Sequence, residues 1–177
     1  MSKPVTREEI ASAIRNVPDF PKAGIQFKDI TPVLADARLF SGAIDLLTEN
    51  FAPGSIDAVV GIDARGFIFA AAAATKLRAG FVPVRKKGKL PYQTIEEDYA
   101  LEYGNASVAM HIDALKSGAR VLLVDDLLAT GGTSAAAISL VKKLGGQILE
   151  VGFLIELKFL DGRSKLKELN VRSLVTY

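Results

Sequence analysis

Apolar positions along the chain follow two periods, and they alternate. Residues 6–15 read Thr-Arg-Glu-Glu-Ile-Ala-Ser-Ala-Ile-Arg. An N-cap threonine, a glutamate three positions on and apolar spacing suited to one face predict a helix. Residues 36–50 place Phe40, Ala43, Ile44 and Leu47 on one stripe and predict another. Between them, Pro18, Pro21, Gly24 and Pro32 predict an irregular arm over residues 16–32. Apolar, β-rich runs at 57–62, 81–84, 105–111, 121–124, 148–155 and 171–176 predict strands. Helices are predicted at 66–77, at 133–144 and near 161–168, and a long loop over 86–100, where periodic apolar positions are few. Near-continuously apolar strands alternating with helices predict an α/β fold: an open, mainly parallel twisted sheet flanked by helices. Ligands bind such sheets beyond the carboxyl ends of the strands. Residues 63–66, 85–89 and 125–133 each follow a predicted strand, so all three are expected at one crevice.

Composition narrows the picture. A chain of 177 residues, 49% of them hydrophobic, suits a single domain with a proper core. A net charge of +2 with basic residues spread along the chain does not suggest nucleic acid as a partner. The absence of cysteine excludes disulfides and thiolate sites. The single histidine, His111, lies late in a predicted strand and is given no role. Charged residues interrupt the N-terminus, and the longest wholly apolar run, 67–74, is too short to span a bilayer. A soluble, cytoplasmic protein with no membrane partner is the expectation.

The densest chemistry lies in Val121-Leu-Leu-Val-Asp-Asp-Leu-Leu-Ala-Thr-Gly-Gly-Thr133. A strand, two carboxylates, a small Gly-centred loop and a helix N-terminus together suit a phosphorylated sugar. Successive N–H groups and the helix dipole favour phosphate, while Asp125 and Asp126 accept from hydroxyls or help hold a divalent metal. A Gly-Gly turn alone is more often just a turn; the whole string reverses that balance.

This string resembles the diphosphate-sugar motif of the type I phosphoribosyltransferases, in the form carried by the adenine-specific members. Further segments are similar to that family in the same order: Phe20-Pro-Lys-Ala-Gly-Ile-Gln-Phe-Lys-Asp-Ile30, Gly61-Ile-Asp-Ala-Arg-Gly-Phe67, Arg85-Lys-Lys-Gly-Lys-Leu-Pro91 and Leu101-Glu-Tyr-Gly104. The resemblance implies one domain over 1–177, with an N-terminal helix and base-binding arm over 1–35 and a flexible catalytic loop over 86–104. It implies transfer of the phosphoribosyl group of phosphoribosyl diphosphate (PRPP) to adenine, giving AMP and diphosphate in purine salvage, with Mg²⁺ and as a homodimer.

Carried over residue by residue, Ala129, Thr130, Gly131, Gly132 and Thr133 hold the 5-phosphate, and Asp125 and Asp126 the ribose hydroxyls. Mg²⁺ is bound mainly through substrate oxygens and water, with Asp125 and Asp126 as candidate ligands. Arg65, in a turn that holds a cis peptide next to Ala64 in the family, meets the diphosphate with Lys86, Lys87 and Lys89. Arg85 reaches the partner subunit's site. Read alone, the Lys/Arg run fits a solvated loop equally well. Glu102 matches the family's general acid/base near N7 of the purine. Phe27 stacks on adenine while the backbone of Gln26 reads its edge beside Lys28. Gln26 and Lys28 depart from the family's usual residues there, and Phe27 and Ile30 also fit a core role fastening the arm. Two other readings stay in view. One is a 6-oxopurine transferase for hypoxanthine, guanine or xanthine, against which Leu101–Gly104 argues. The other is a PRPP-sensing regulator, for which no basic recognition helix is apparent.

Overall fold

The computed structural model describes residues 3–100 and 105–177. The chain falls into two compact units, residues 1–46 and 47–177, each described by itself. In the first, helix α1 (Arg7–Ala13) carries the predicted capping box: Thr6 Oγ1 accepts from the Glu9 N–H at 3.2 Å, and the Thr6 N–H donates to Glu9 Oε2 at 2.9 Å. The arm is more regular than its prolines predict. Strands β1 (Arg15–Pro18) and β2 (Gln26–Asp29) form a two-stranded antiparallel ribbon. Pro18 is tolerated because such a ribbon is all edge, so a missing N–H breaks no central ladder, and Pro21 lies in the turn between the two strands. A short helix α2 (Thr31–Ala35) follows, with Pro32 in its first turn, and then α3 (Ala37–Thr48). Asp36 accepts from the N–H groups of Arg38 and Leu39, each at 2.9 Å, and so starts α3 one residue after its predicted beginning. Ala43, Ile44 and Leu47 of the predicted stripe are buried and Phe40 is half-buried.

The second unit is a seven-stranded sheet ordered β5-β6-β4-β3-β7-β8-β9. Strands β4 (Gly80–Lys86), β3 (Ala58–Ile62), β7 (Arg120–Leu128), β8 (Gln147–Glu156) and β9 (Val171–Thr176) run parallel. β5 (Thr94–Ala100) and β6 (Asn105–His111) form an antiparallel pair added beyond β4. The long loop expected over 86–100 is therefore corrected: its second half is strand β5. Thr94, Tyr99 and neighbouring polar residues alternate against β6, a pattern that a search for apolar periodicity misses. Helices α4 (Gly66–Leu77) and α5 (Gly132–Lys143) stand where predicted, to within a residue. The helix expected near 161–168 is instead two short 3₁₀ turns, Lys158–Leu160 and Gly162–Leu166.

The chain enters the sheet at β3, adds β4 on one side and later β7 on the other. Strand order thus reverses between β3 and β7, the point where open α/β sheets bind ligands. Right-handed crossovers in the two directions carry α4 and α5 to opposite faces. Val60, Ile62, Leu123 and Val121 pack with Ala137, Leu140 and Val141 of α5, all nearly solvent-free. Each such side chain contributes about 1.5–3 kcal/mol of burial, which makes this framework rigid enough to hold loops at its edge.

Candidate functional site

β7 is longer on one side than on the other, and this difference builds the site. Its pairing with β3 ends at Gly61 opposite Val124, whereas its pairing with β8 continues through Leu128 opposite Glu156. Past Val124, one edge of β7 is uncovered where the chain turns away after Ile62. A cleft of about 270 Å³, the scale of one small polar ligand, opens there, lined by Asp63, Ala64, Arg65, Asp125, Asp126 and residues 129–134. The carboxylates do not stand at a strand tip, as the sequence reading has them; they lie within β7 and are 8% and 7% exposed.

The helix that follows opens on bare backbone. Gly131, at φ 76°, turns the chain into α5, a backbone setting that glycine adopts without strain. Among the described residues no side chain caps α5, and its first turn holds no acidic residue. The opening N–H groups of a helix have no intrahelical acceptors, so the positive end of the dipole faces the cleft edge. Ser134, 3% exposed, also lines it.

Opposite stands the turn 63–65, where the Asp63–Ala64 peptide is cis, at the place the resemblance implies. The Asp63 N–H donates to the Val84 carbonyl at 2.9 Å, tying the turn to β4. Arg65 Nε lies 2.8 Å from Asp126 Oδ2. Gly66, the first residue of α4, faces Asp125: a Cβ there would sit 2.4 Å from Asp125 Oδ1 and 3.2 Å from its Cα. Asp125 Oδ1 also accepts from the Asp126 N–H at 2.9 Å. Burial pushes the Asp125 carboxyl well above the usual aspartate range, and the adjacent charge of Asp126 adds to the effect. Burial raises Asp126 as well, against the pull of Arg65. Two desolvated carboxylates side by side are costly in an empty site, and a cation or donating hydroxyls relieve that cost.

The structure gathers the predicted residues unevenly. Arg65, Asp125, Asp126, Ala129, Thr130, Gly131, Gly132 and Thr133 line one cleft. Arg85 adjoins it indirectly, through Nε to Asp63 Oδ2 at 3.2 Å and Nη1 to the Lys89 carbonyl at 2.9 Å. Lys86 and Lys89 are exposed on the turn that follows β4 and are not among the lining residues, and Lys87 Nζ lies 2.5 Å from Glu96 Oε2. Glu102 lies outside the described residues. Within the first unit, Gln26 and Lys28 both bond to Asn16, at 2.7 and 3.2 Å, while the Phe27 ring meets Phe20 edge-on at 5.1 Å. Ile30, at 1% exposure, is the core residue of that segment. His111 Nε2 accepts from the Tyr92 N–H at 3.4 Å, away from the cleft lining. The sequence reading passed over Asp63, Gly66 and Ser134. Asp63 and Gly66 lie in a segment already singled out, and only their contacts across the sheet reveal what they do.

Comparison with known proteins agrees with this geometry. Residues 26–172 match the phosphoribosyl transferase domain model. The chain is 54% identical over 168 residues to the adenine phosphoribosyltransferase of Acidothermus cellulolyticus, covering 95% of each chain. The crystal structure of the Rhodothermus marinus adenine phosphoribosyltransferase superposes with a TM-score of 0.91 at 53% identity, over 97% of this chain and 98% of that one. The Saccharomyces cerevisiae enzyme, solved with an imino-altritol bisphosphate and adenine, gives 0.90 at 42% identity, over 95% and 97%. Domain match, full-length identity and backbone agreement all coincide with a carboxylate pair and a Gly-centred loop at the sheet's reversal point, and the chain belongs to the phosphoribosyltransferase family, among its adenine phosphoribosyltransferases.

Proposed function

We propose that this chain, acting as one functional domain over residues 1–177, transfers the phosphoribosyl group of PRPP to adenine. The products are AMP and diphosphate, as in purine salvage. The observation that carries the reading is the pairing of a backbone phosphate cradle, residues 129–133, with two buried carboxylates in one cleft. Relatives 54% and 53% identical to this chain are named for this activity. The cradle takes the 5-phosphate. Asp125 and Asp126 accept from the ribose 2- and 3-hydroxyls and stabilise the positive charge that develops on the ring as the C1–oxygen bond lengthens. Arg65 meets the departing diphosphate, with Lys86, Lys89 and Arg85 adding cationic charge. Diphosphate leaves with the bonding pair, adenine N9 supplies the pair that forms the new bond to C1, and the proton lost by the base goes to Glu102. Phe27, Gln26 and Lys28 hold the base.

Mg²⁺ fits the donors present. Asp125 and Asp126 are adjacent, nearly buried oxygen donors that line the same cleft, the donor type this ion takes. Among the described residues no group of three or more carboxylate or imidazole side chains converges, so Asp125 and Asp126 would hold the ion together with substrate oxygens and water, and it would supply positive charge to offset that of the leaving diphosphate. Among the described residues no helix is long and apolar enough to cross a membrane, in keeping with a cytoplasmic enzyme, and a homodimer is the assembly we propose.

The test offers adenine, hypoxanthine, guanine and xanthine separately with PRPP and Mg²⁺. AMP from adenine alone is the expected result. Turnover of a 6-oxopurine overturns the base assignment, and PRPP binding without product from any base overturns transfer. Glu102→Gln with near-normal turnover removes Glu102 from the chemistry.

A further inference from the structure

The loop Ala129–Gly131 has a backbone neighbour outside the residues that line the cleft. Ala129–Gly131 lies against Gly162 so closely that a Cβ on Gly162 would sit 2.1 Å from the Ala129 carbonyl oxygen and 2.8 Å from the Gly131 nitrogen. A Cβ on Gly131 would sit 2.4 Å from the Gly162 carbonyl oxygen. Bare backbone meets bare backbone from both sides. Gly162 does not have a positive φ, so alanine there carries no conformational strain of its own. The obstacle to a side chain is the phosphate loop itself.

The turn that presents Gly162 is held in place. Arg163 donates from Nε and Nη2 to the Glu156 carboxylate at 2.9 and 2.5 Å, and from Nη1 to the Val171 carbonyl at 2.7 Å. Glu156, at 4% exposure, also accepts from Ser173 Oγ at 2.7 Å. Ser164 closes the turn through its N–H and hydroxyl to the Asp161 carbonyl, at 3.1 and 2.7 Å. Glu156 ends β8, and Val171 and Ser173 belong to β9, so two strands hold Arg163 and Arg163 holds Gly162 against the loop.

We propose that Gly162 is a positioning residue for the 5-phosphate, a side-chain-free buttress that sets the curvature of Ala129–Gly131, with the Arg163–Glu156 pair as its anchor. The proposal rests on the reading of residues 129–133 as the phosphate cradle. N–H donors bind an anion well only within a few tenths of an ångström of their best distance, so a loop pushed off its support loses phosphate affinity first. The base and the chemical step are affected less.

The test measures calorimetric affinity for ribose 5-phosphate, with KM for each substrate, in the wild type and in Gly162→Ala, Arg163→Lys and Lys165→Ala. Gly162→Ala is expected to weaken ribose 5-phosphate and raise KM for PRPP by about tenfold or more, because such displacements are amplified at a site. KM for adenine stays within about twofold, the mark of a lost binding contact on one substrate alone. Arg163→Lys keeps the charge but loses the fork, and shows a smaller change of the same kind. Lys165→Ala, an exposed change on the same turn, leaves every value unchanged. A folded Gly162→Ala with wild-type affinity for ribose 5-phosphate overturns the proposal, as does an equal rise in both KM values. Should Gly162→Ala not fold, Arg163→Lys decides: unchanged affinity there is equally fatal. Wild-type protein that binds ribose 5-phosphate without turnover removes the transferase reading and leaves the buttress standing. Wild-type protein that does not bind it removes both.

Discussion

Gly66→Ala is a change that adds one methyl group and tests how the carboxylate pair is held. The new Cβ would lie 2.4 Å from Asp125 Oδ1 and 3.3 Å from its Cγ. Ordinary contact with a carbon begins about 1 Å farther out. Two motions relieve the clash. Rotating the carboxylate breaks its bond from the Asp126 N–H, 2.9 Å long, which costs about 1.5–3 kcal/mol for a bond to a charged group. Backing α4 off the sheet instead costs about 1–3 kcal/mol of overpacking. Alanine returns at most about 1 kcal/mol of helix propensity. The net loss is about 1–2 kcal/mol, a fall in Tm of roughly 2–8 °C for a chain of this size.

Activity suffers far more. On the proposed reading, a carboxylate that holds the ribose hydroxyls and is displaced by an ångström costs on the order of 10²-fold in rate, or about 2.7 kcal/mol of transition-state stabilisation. Calorimetric unfolding beside initial rates of AMP formation reads both effects on one preparation. A folded Gly66→Ala enzyme with kcat/KM within about threefold of wild type refutes the reasoning, since it shows that the Asp125 position is not set by α4.

Asp125→Asn keeps the Oδ1 acceptor and removes the charge. The folded carboxyl is raised above its unfolded value by burial, so its ionisation costs stability as pH climbs from about 3.9 through the raised folded value. The variant is expected to be inactive yet at least as stable as wild type near pH 7, with any advantage fading toward about pH 4; a Tm deficit confined to neutral pH contradicts this. Arg172→Met strands Glu150, 1% exposed and bonded by Arg172 at 2.9 and 2.7 Å. A loss of about 3–5 kcal/mol in denaturant unfolding is expected, with kcat of the folded enzyme unchanged; a variant as stable as wild type rules out a paired buried charge. Phe27→Ala is expected to raise KM for adenine about tenfold while ribose 5-phosphate affinity holds, given what an aromatic face contributes to stacking. Equal effects on both ligands would place Phe27 in the core instead.

The elements legible in the sequence are those whose signal is local. The capping box of Thr6 and Glu9, the all-apolar β3 and the uninterrupted α4 each announce themselves within a dozen residues, and each is found where predicted. β5 is hidden because Thr94–Ala100 turns only Ile95 and Tyr99 to the core, two apolar positions four residues apart among polar ones, and its pairing with β6 supplies the rest. The ribbon in the arm was hidden for the opposite reason: prolines that break a central strand are harmless at an edge. β7 ends late because β8 continues to pair with it past the point where β3 stops, and that depends on the length of a strand some twenty residues away. The motif string located the cleft, yet Gly66 and Gly162 acquire meaning only through atoms distant in sequence. A glycine in a sequence states that a side chain is absent; it does not state what takes the space.

On the proposed reading the cleft holds an anion beside two carboxylates, and its layout bears on that conflict. Like charges about 4 Å apart repel by roughly 4 kcal/mol at an effective dielectric near 20, so a phosphate cannot share the place of Asp125 and Asp126. The chain separates the two by sequence. The carboxylates stand within β7, and the phosphate loop begins three residues later, where α5 presents its positive end and carries no acid in its first turn. Arg65 sets its Nε 2.8 Å from Asp126 Oδ2, so that one cation offsets that carboxylate's charge. Asp125 is held by a backbone N–H and walled in by the start of α4. Burial first, and then the adjacent charge of Asp126, raise its proton affinity, and hydroxyls or a cation are the groups that favour its charge without bringing another anion near.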